Sequence, residues 1–86
     1  MEKHALLILI DHRNEAAVNV QKTLTGWGCI IKTRLGIHDG VLDKCSQHGL
    51  IFCELVGDTE KRDELTRKLN LIKGVKAEQV SLKLDE

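Results

Sequence analysis

Residues 5–10 read Ala-Leu-Leu-Ile-Leu-Ile, and residues 50–56 read Leu-Ile-Phe-Cys-Glu-Leu-Val. Both runs are apolar at odd and even positions alike. Such runs describe strands buried on both faces, in contrast to strands with one wet face. The first is far shorter than the ~20 residues that span a bilayer. Asp11, His12 and Arg13 follow it at once, with no small-x-small cleavage pattern, so it does not read as a signal peptide and an intracellular, cytoplasmic chain is expected.

Working outward from these runs, Asp11 is a candidate helix cap. Ala17, Val20, Leu24 and Trp27 then recur at helical spacing and make the apolar stripe of a first helix. Gly26 and Gly28 bracket its end, where a left-handed residue would stop it. Residues 29–35, Cys-Ile-Ile-Lys-Thr-Arg-Leu, form a second strand, with Ile31, Thr33 and Leu35 on one face and Ile30, Lys32 and Arg34 on the other. A polar connection from Gly36 to Gly49 leads into the 50–56 strand, which makes a long-looped hairpin with the second.

Gly57 and Asp58 mark a turn, and the pattern predicts a second helix over 59–73. Glu60 stands in its first turn and Arg67, Lys68 and Lys73 near its end, as the helix dipole favours. Asp63 with Arg67, and Glu64 with Lys68, are (i, i+4) pairs. Leu65, Leu69 and Ile72 are its buried stripe, and Gly74 fits the position after its C-terminus. In the last strand, 75–84, Val75 and Ala77 share one face while Val80, Leu82 and Leu84 share the other. That switch of parity predicts a bulge near Gln79.

The order β-α-β-β-α-β is the ferredoxin-like split βαβ motif: α+β, an antiparallel four-stranded sheet with two helices on one face, as a single domain over 1–86. In that fold the first and third strands are central, and these are the two continuous apolar runs. The charged residues Lys32, Arg34, Lys76, Glu78 and Lys83 fall on the second and fourth strands, where charge keeps sheet edges from mispairing.

Two helices cover only one face of such a sheet. Leu6, Ile8 and Ile10 point one way from the first strand, Leu7 and Leu9 the other, and the third strand adds Ile51 and Cys53. Whichever set meets the helices, the other lies in water in a monomer, and apolar patches of that size mark interfaces. A homo-oligomer that buries the open face through residues drawn from Leu6, Leu7, Ile8, Leu9, Ile10, Ile51 and Cys53 is the expectation. The alternative is that long side chains such as Lys32 and Arg34 drape over it.

Composition narrows the function. Lys and Arg total 13 and Asp and Glu total 13, so the chain lacks the broad basic field of a nucleic-acid binder. With no tyrosine, one tryptophan and one phenylalanine, base stacking on the sheet lacks its residues. Three cysteines, Cys29, Cys45 and Cys53, make an odd number without a CxxC pair, against a disulfide framework. The connection from Gly36 to Gly49 gathers His38, Asp39, Asp43, Cys45 and His48, all metal-ligand types. His38, Cys45 and His48 are therefore candidate ligands, against the plainer reading of a solvated loop with an Asp-Gly turn. No nucleophile elbow, Walker loop or GxGxxG is present, Ser46 near His48 lacks an elbow, and Gly26-Trp27-Gly28 follows a helix where a phosphate cradle follows a strand. The chain reads as no enzyme, and no cofactor is required by its sequence.

Two longer stretches carry a resemblance. Arg34-Leu35-Gly36-Ile37, then Gly49 through Gly57 after the loop, and Leu65 through Ala77, with the pattern L-x-x-K-L-x-x-I-x-G-V, resemble the iron-only hydrogenase system regulators. These are small stand-alone ACT-like domains, similar in fold to the C-terminal domain of nickel-responsive repressors. The resemblance implies an ACT-like regulatory or ligand-sensing module in an anaerobic bacterium, with a ligand near the first strand–helix turn, Asp11, His12, Arg13 and Asn14, or near the 36–49 loop. Amino-acid-binding ACT domains carry Pro-Gly after the first strand, where this chain has Asp11-His12-Arg13-Asn14, and the His-x-His of the nickel repressors is absent. Neither ligand is thus carried over, and no ribbon-helix-helix segment is present to read DNA. A metal-binding protein using the 36–49 loop is the alternative function.

Overall fold

The computed structural model describes residues 1–11, 14–38 and 49–85. Strand β1 (Glu2–Ile10) is followed by helix α1 (Asn14–Gly26), a single 3-10 turn (Gly28–Ile30) and strand β2 (Ile31–His38). Strand β3 (Gly49–Leu55), helix α2 (Thr59–Asn70) and strand β4 (Val75–Lys83) complete the chain. The sheet order is β2-β3-β1-β4, with every neighbouring pair antiparallel. The two continuous apolar runs are therefore central, and the fold is the expected ferredoxin-like α+β sheet with two helices.

The helices lie on the face formed by Leu6, Ile8 and Ile10 of β1 and Ile51, Cys53 and Leu55 of β3. These side chains make one core with Val20 and Leu24 of α1 and Leu65 and Leu69 of α2. Helix α1 uses Ala16, Val20 and Leu24 as its most buried row, with Ala17 and Trp27 packed at the margin. Helix α2 starts where Asp58 accepts the Lys61 N–H at 2.9 Å, a side-chain N-cap.

Four expectations are corrected. Helix α2 ends at Asn70, three residues short of 73, because the Leu71 N–H turns back to the Lys68 and Leu69 carbonyls. Gly74 instead takes a positive φ of 85° in the turn into β4. Gly26 and Gly28 are not left-handed; among the described residues the positive-φ glycines are Gly57 and Gly74, and α1 passes directly into the 3-10 turn. The register of β4 against β1 is unbroken from Val75 to Lys83, with no bulge at Gln79. Val80 and Leu82 are simply apolar residues on the face away from the helices. The irregularity lies in β2 between Ile31 and Thr33, which turns Ile31 toward the core and leaves Thr33 and Leu35 on the open side.

The two sheet edges differ. Helix α2 ends beside β4, where the Asn70 Nδ2 donates to the Ala77 carbonyl at 2.9 Å and the Ala77 N–H donates to Asn70 Oδ1 at 2.8 Å. One side-chain amide thus fills the place of a neighbouring strand at the middle of β4. Along β2, residues 32–37 are exposed throughout.

Candidate functional site on the open sheet face

Register sets out the face opposite the helices row by row. One row runs Leu35, Phe52, Leu7, Glu78 across β2, β3, β1 and β4; the next runs Ile37, Leu50, Leu9, Lys76. A third holds Thr33, Glu54, Ala5 and Val80, and Lys3 and Leu82 close the far end. Six large apolar side chains in two adjacent rows thus make one continuous patch on β2, β3 and β1. Leu9 is 57% exposed, Leu35 55%, Ile37 49% and Phe52 38%. Charged residues flank the patch: Lys76 and Glu78 on β4, 3.9 Å apart, and Lys3 and Glu54 at the far end, 3.6 Å apart.

The relief of the face is shallow. A groove of about 300 Å³ lies among Ala5, Phe52, Val80 and Leu82 and takes in Lys3 and Glu54. A second, of about 260 Å³, lies among Leu7, Leu9, Leu50, Lys76 and Glu78. A contiguous exposed apolar surface with charged residues beside it has the make-up of a protein interface.

Of the seven residues that the sequence assigns to an oligomer interface, five belong elsewhere. Leu6, Ile8, Ile10, Ile51 and Cys53 lie under α1 and α2 at 7% exposure or less, so they cannot meet a partner on the open face. The helices take that set because it is the one their own apolar rows pack upon. Leu7 and Leu9 do face outward, joined by residues the sequence reading left out: Leu35, Ile37, Leu50, Phe52, Val80 and Leu82. Alternation within the charged edge strands is the signal that would have found them. The draping alternative does not hold for Arg34, which lies on the helix side and bonds Gln21 of α1.

The other candidates are placed as follows. Asp11 ends β1, and its N–H donates to the Gly74 carbonyl at 2.9 Å. Asn14 opens α1. His12 and Arg13, the side chains of Asn14 and His38, and all of Cys45 and His48 lie outside the described residues. Among the described residues no group of three or more His, Cys, Asp or Glu side chains is arranged to hold a metal ion. Burial pushes the Cys53 thiol pKa up, with the nearby Arg34 charge pulling partly the other way. At the outer end of β1, His4 Nδ1 hydrogen-bonds Ser81 Oγ at 2.7 Å, while Glu2 Oε1 stands 3.8 Å from Nε2, beyond bonding distance. Arg62 is buried in α2 and donates to the Gly57 carbonyl and, at 3.1 Å, to Thr59 Oγ1, bracing the turn from β3. No helix among the described residues is long and apolar enough to cross a membrane.

No family model matches the chain, and no curated protein does. Solved structures do. An uncharacterized protein from Thermotoga maritima is 27% identical over 96% of this chain and 100% of that one, with a TM-score of 0.81. The ACT domain from GTP pyrophosphokinase of Chlorobium tepidum is 17% identical over 93% of this chain and 97% of that one, with a TM-score of 0.63. The fold is ACT-like. A nitrogen regulatory PII-like protein from Thiomonas intermedia, solved with ADP, AMP and bicarbonate, shares the architecture at 10% identity over 100% of this chain and 98% of that one, with a TM-score of 0.60.

Proposed function

We propose that this chain is a non-enzymatic regulatory module that senses a ligand and works in the cytoplasm as a homo-oligomer. The observation that carries this reading is the two-row apolar patch on the open face, with charged residues on two of its sides, on a domain whose helices leave it uncovered. The ACT-like fold supports it by analogy, since one similar structure is the ACT domain of a nucleotide-metabolising enzyme and another is a PII-like protein solved with nucleotides. The resemblance to the iron-only hydrogenase system regulators supplies the specific context, regulation of such a system in an anaerobic bacterium. A ligand would enter at the turn that follows Asp11.

A thermal-shift screen of adenine nucleotides, amino acids, small carboxylates and divalent metals tests the reading, because a ligand that binds only the native state raises its melting temperature. One class that raises it, with the effect reduced in Asp11→Ala, is the expected result. No shift with any of them would leave protein–protein contact as the function. Stoichiometric metal lost in Cys45→Ser would replace the reading by metal binding.

A further inference from the structure

We propose that the open face is closed by a second copy of this chain, in an isologous face-to-face dimer centred on Phe52 and Leu7. This rests on the oligomeric reading above and names the partner surface and the stacking. Four strands about 4.8 Å apart and about seven residues long, at ~3.3 Å per residue, make a face of roughly 450 Å² in plan. Side chains standing from that plane carry the accessible area toward the ~800 Å² per partner of a standard interface. The apolar patch lies on β2, β3 and β1 and runs out to the β2 edge, and the charges stand beside it on β4 and at the far end of the face. A two-fold contact sets the same surface against itself, so it needs a surface that does not repel its copy. This face meets that need: among the described residues its charges are two lysines, Lys3 and Lys76, and two glutamates, Glu54 and Glu78, already in opposite-sign pairs.

The sheet edges fit a copy less well. Asn70 already occupies both outward backbone groups of Ala77 in the middle of β4. On the other edge, a two-fold β2–β2 pair centred near Thr33 would set Lys32 of each copy opposite Arg34 of the other, and neither has a carboxylate within 4 Å among the described residues. Like charges across a strand pair destabilise it. Stacking leaves these basic side chains in water.

The test is sedimentation equilibrium and light scattering of the full chain at micromolar concentration, with amide hydrogen exchange on the same samples. The wild type should show twice the 9.7 kDa chain mass, with the amides of β2 at the sheet edge still exchanging. Phe52→Glu should weaken self-association by roughly thirty-fold or more, as loss of a central aromatic anchor does. Leu9→Lys should act the same way, and both should keep the wild-type circular dichroism, since neither side chain belongs to the core. A monomeric wild type overturns the proposal, and if metabolite shifts persist in that monomer, ligand sensing stands without it. A dimer that survives Phe52→Glu with β2 amides protected overturns it in favour of edge pairing. A dimer lost in both variants, with no metabolite shift in the screen, upholds the stacking while ligand sensing fails.

Discussion

The Asp11 carboxylate occupies the space that a side chain at Gly74 would need. A Cβ at residue 74 would lie 2.5 Å from Asp11 Oδ2 and 2.6 Å from Cγ and Oδ1. The Asp11 N–H also donates to the Gly74 carbonyl, so the end of β1 is tied to the turn before β4. Gly74 serves two demands there, a φ of 85° and an open Cα.

Gly74→Ala should therefore cost about 1–2 kcal/mol for the left-handed backbone, plus the displacement of Asp11. Urea denaturation of Gly74→Ala, Asp11→Gly and the double variant separates the two parts. In the Asp11→Gly background the cost should fall to the backbone part alone. Equal costs in both backgrounds would show that the carboxylate gives way freely.

Asn70→Ala should cost about 1–3 kcal/mol, since it removes two hydrogen bonds and leaves the outward N–H and C=O of Ala77 without protein partners. It also bares the middle of an edge strand, so aggregation at high concentration should rise. Asn70→Asp keeps the acceptor and loses the donor, and should fall between wild type and Asn70→Ala in chemical denaturation. A wild-type midpoint for Asn70→Ala would refute the edge-capping role.

What was legible in the sequence divides along physical lines. The runs 5–10 and 50–56 identified the central strands because only a strand covered by neighbours on both sides tolerates apolar residues at every position. Charge placement identified the edges, and Asp58 with Glu60 and Arg67 fixed where α2 begins and how it is polarised. The same two-sided apolarity hid which set faces the helices, because a period of two carries no sign when both faces are apolar. It also made Val80 and Leu82 look like the product of a bulge. The Asn70–Ala77 clamp left no trace, since a polar residue at a helix end says nothing of the backbone seven residues on. As for the candidate site, Leu7 and Leu9 were legible as one of two alternatives, whereas Phe52 and Leu35 needed the register.

Stability should carry a small, salt-sensitive dependence on pH from the α2 surface. Arg67 donates to both carboxylate oxygens of Glu64, at 2.6 and 3.0 Å, and these bonds hold the Glu64 carboxyl below its ordinary value of 4.5. A carboxylate whose pKa is lowered in the folded state adds stability above its ordinary value and loses it as pH falls through the lowered one. The difference in melting temperature between wild type and Glu64→Gln should thus be present at neutral pH, vanish in strong acid, and shrink at high salt. A difference that persists unchanged in acid would assign it to helix propensity.

Cysteine chemistry should report the core directly. Cys29 is exposed in the 3-10 turn, while Cys53 is fully buried between the sheet and the helices. Thiolate is the reactive form, and burial raises the Cys53 pKa and so depletes it, although the Arg34 charge opposes the shift. In a Cys45→Ser background, a maleimide should therefore label Cys29 within its mixing time and leave Cys53 untouched under native conditions. Labelling of Cys53 should then follow opening of the core, with a rate that rises with urea along the global unfolding curve. Rapid labelling of Cys53 in the folded protein would mean that β3 opens locally, and the two central strands would no longer behave as one cooperative unit.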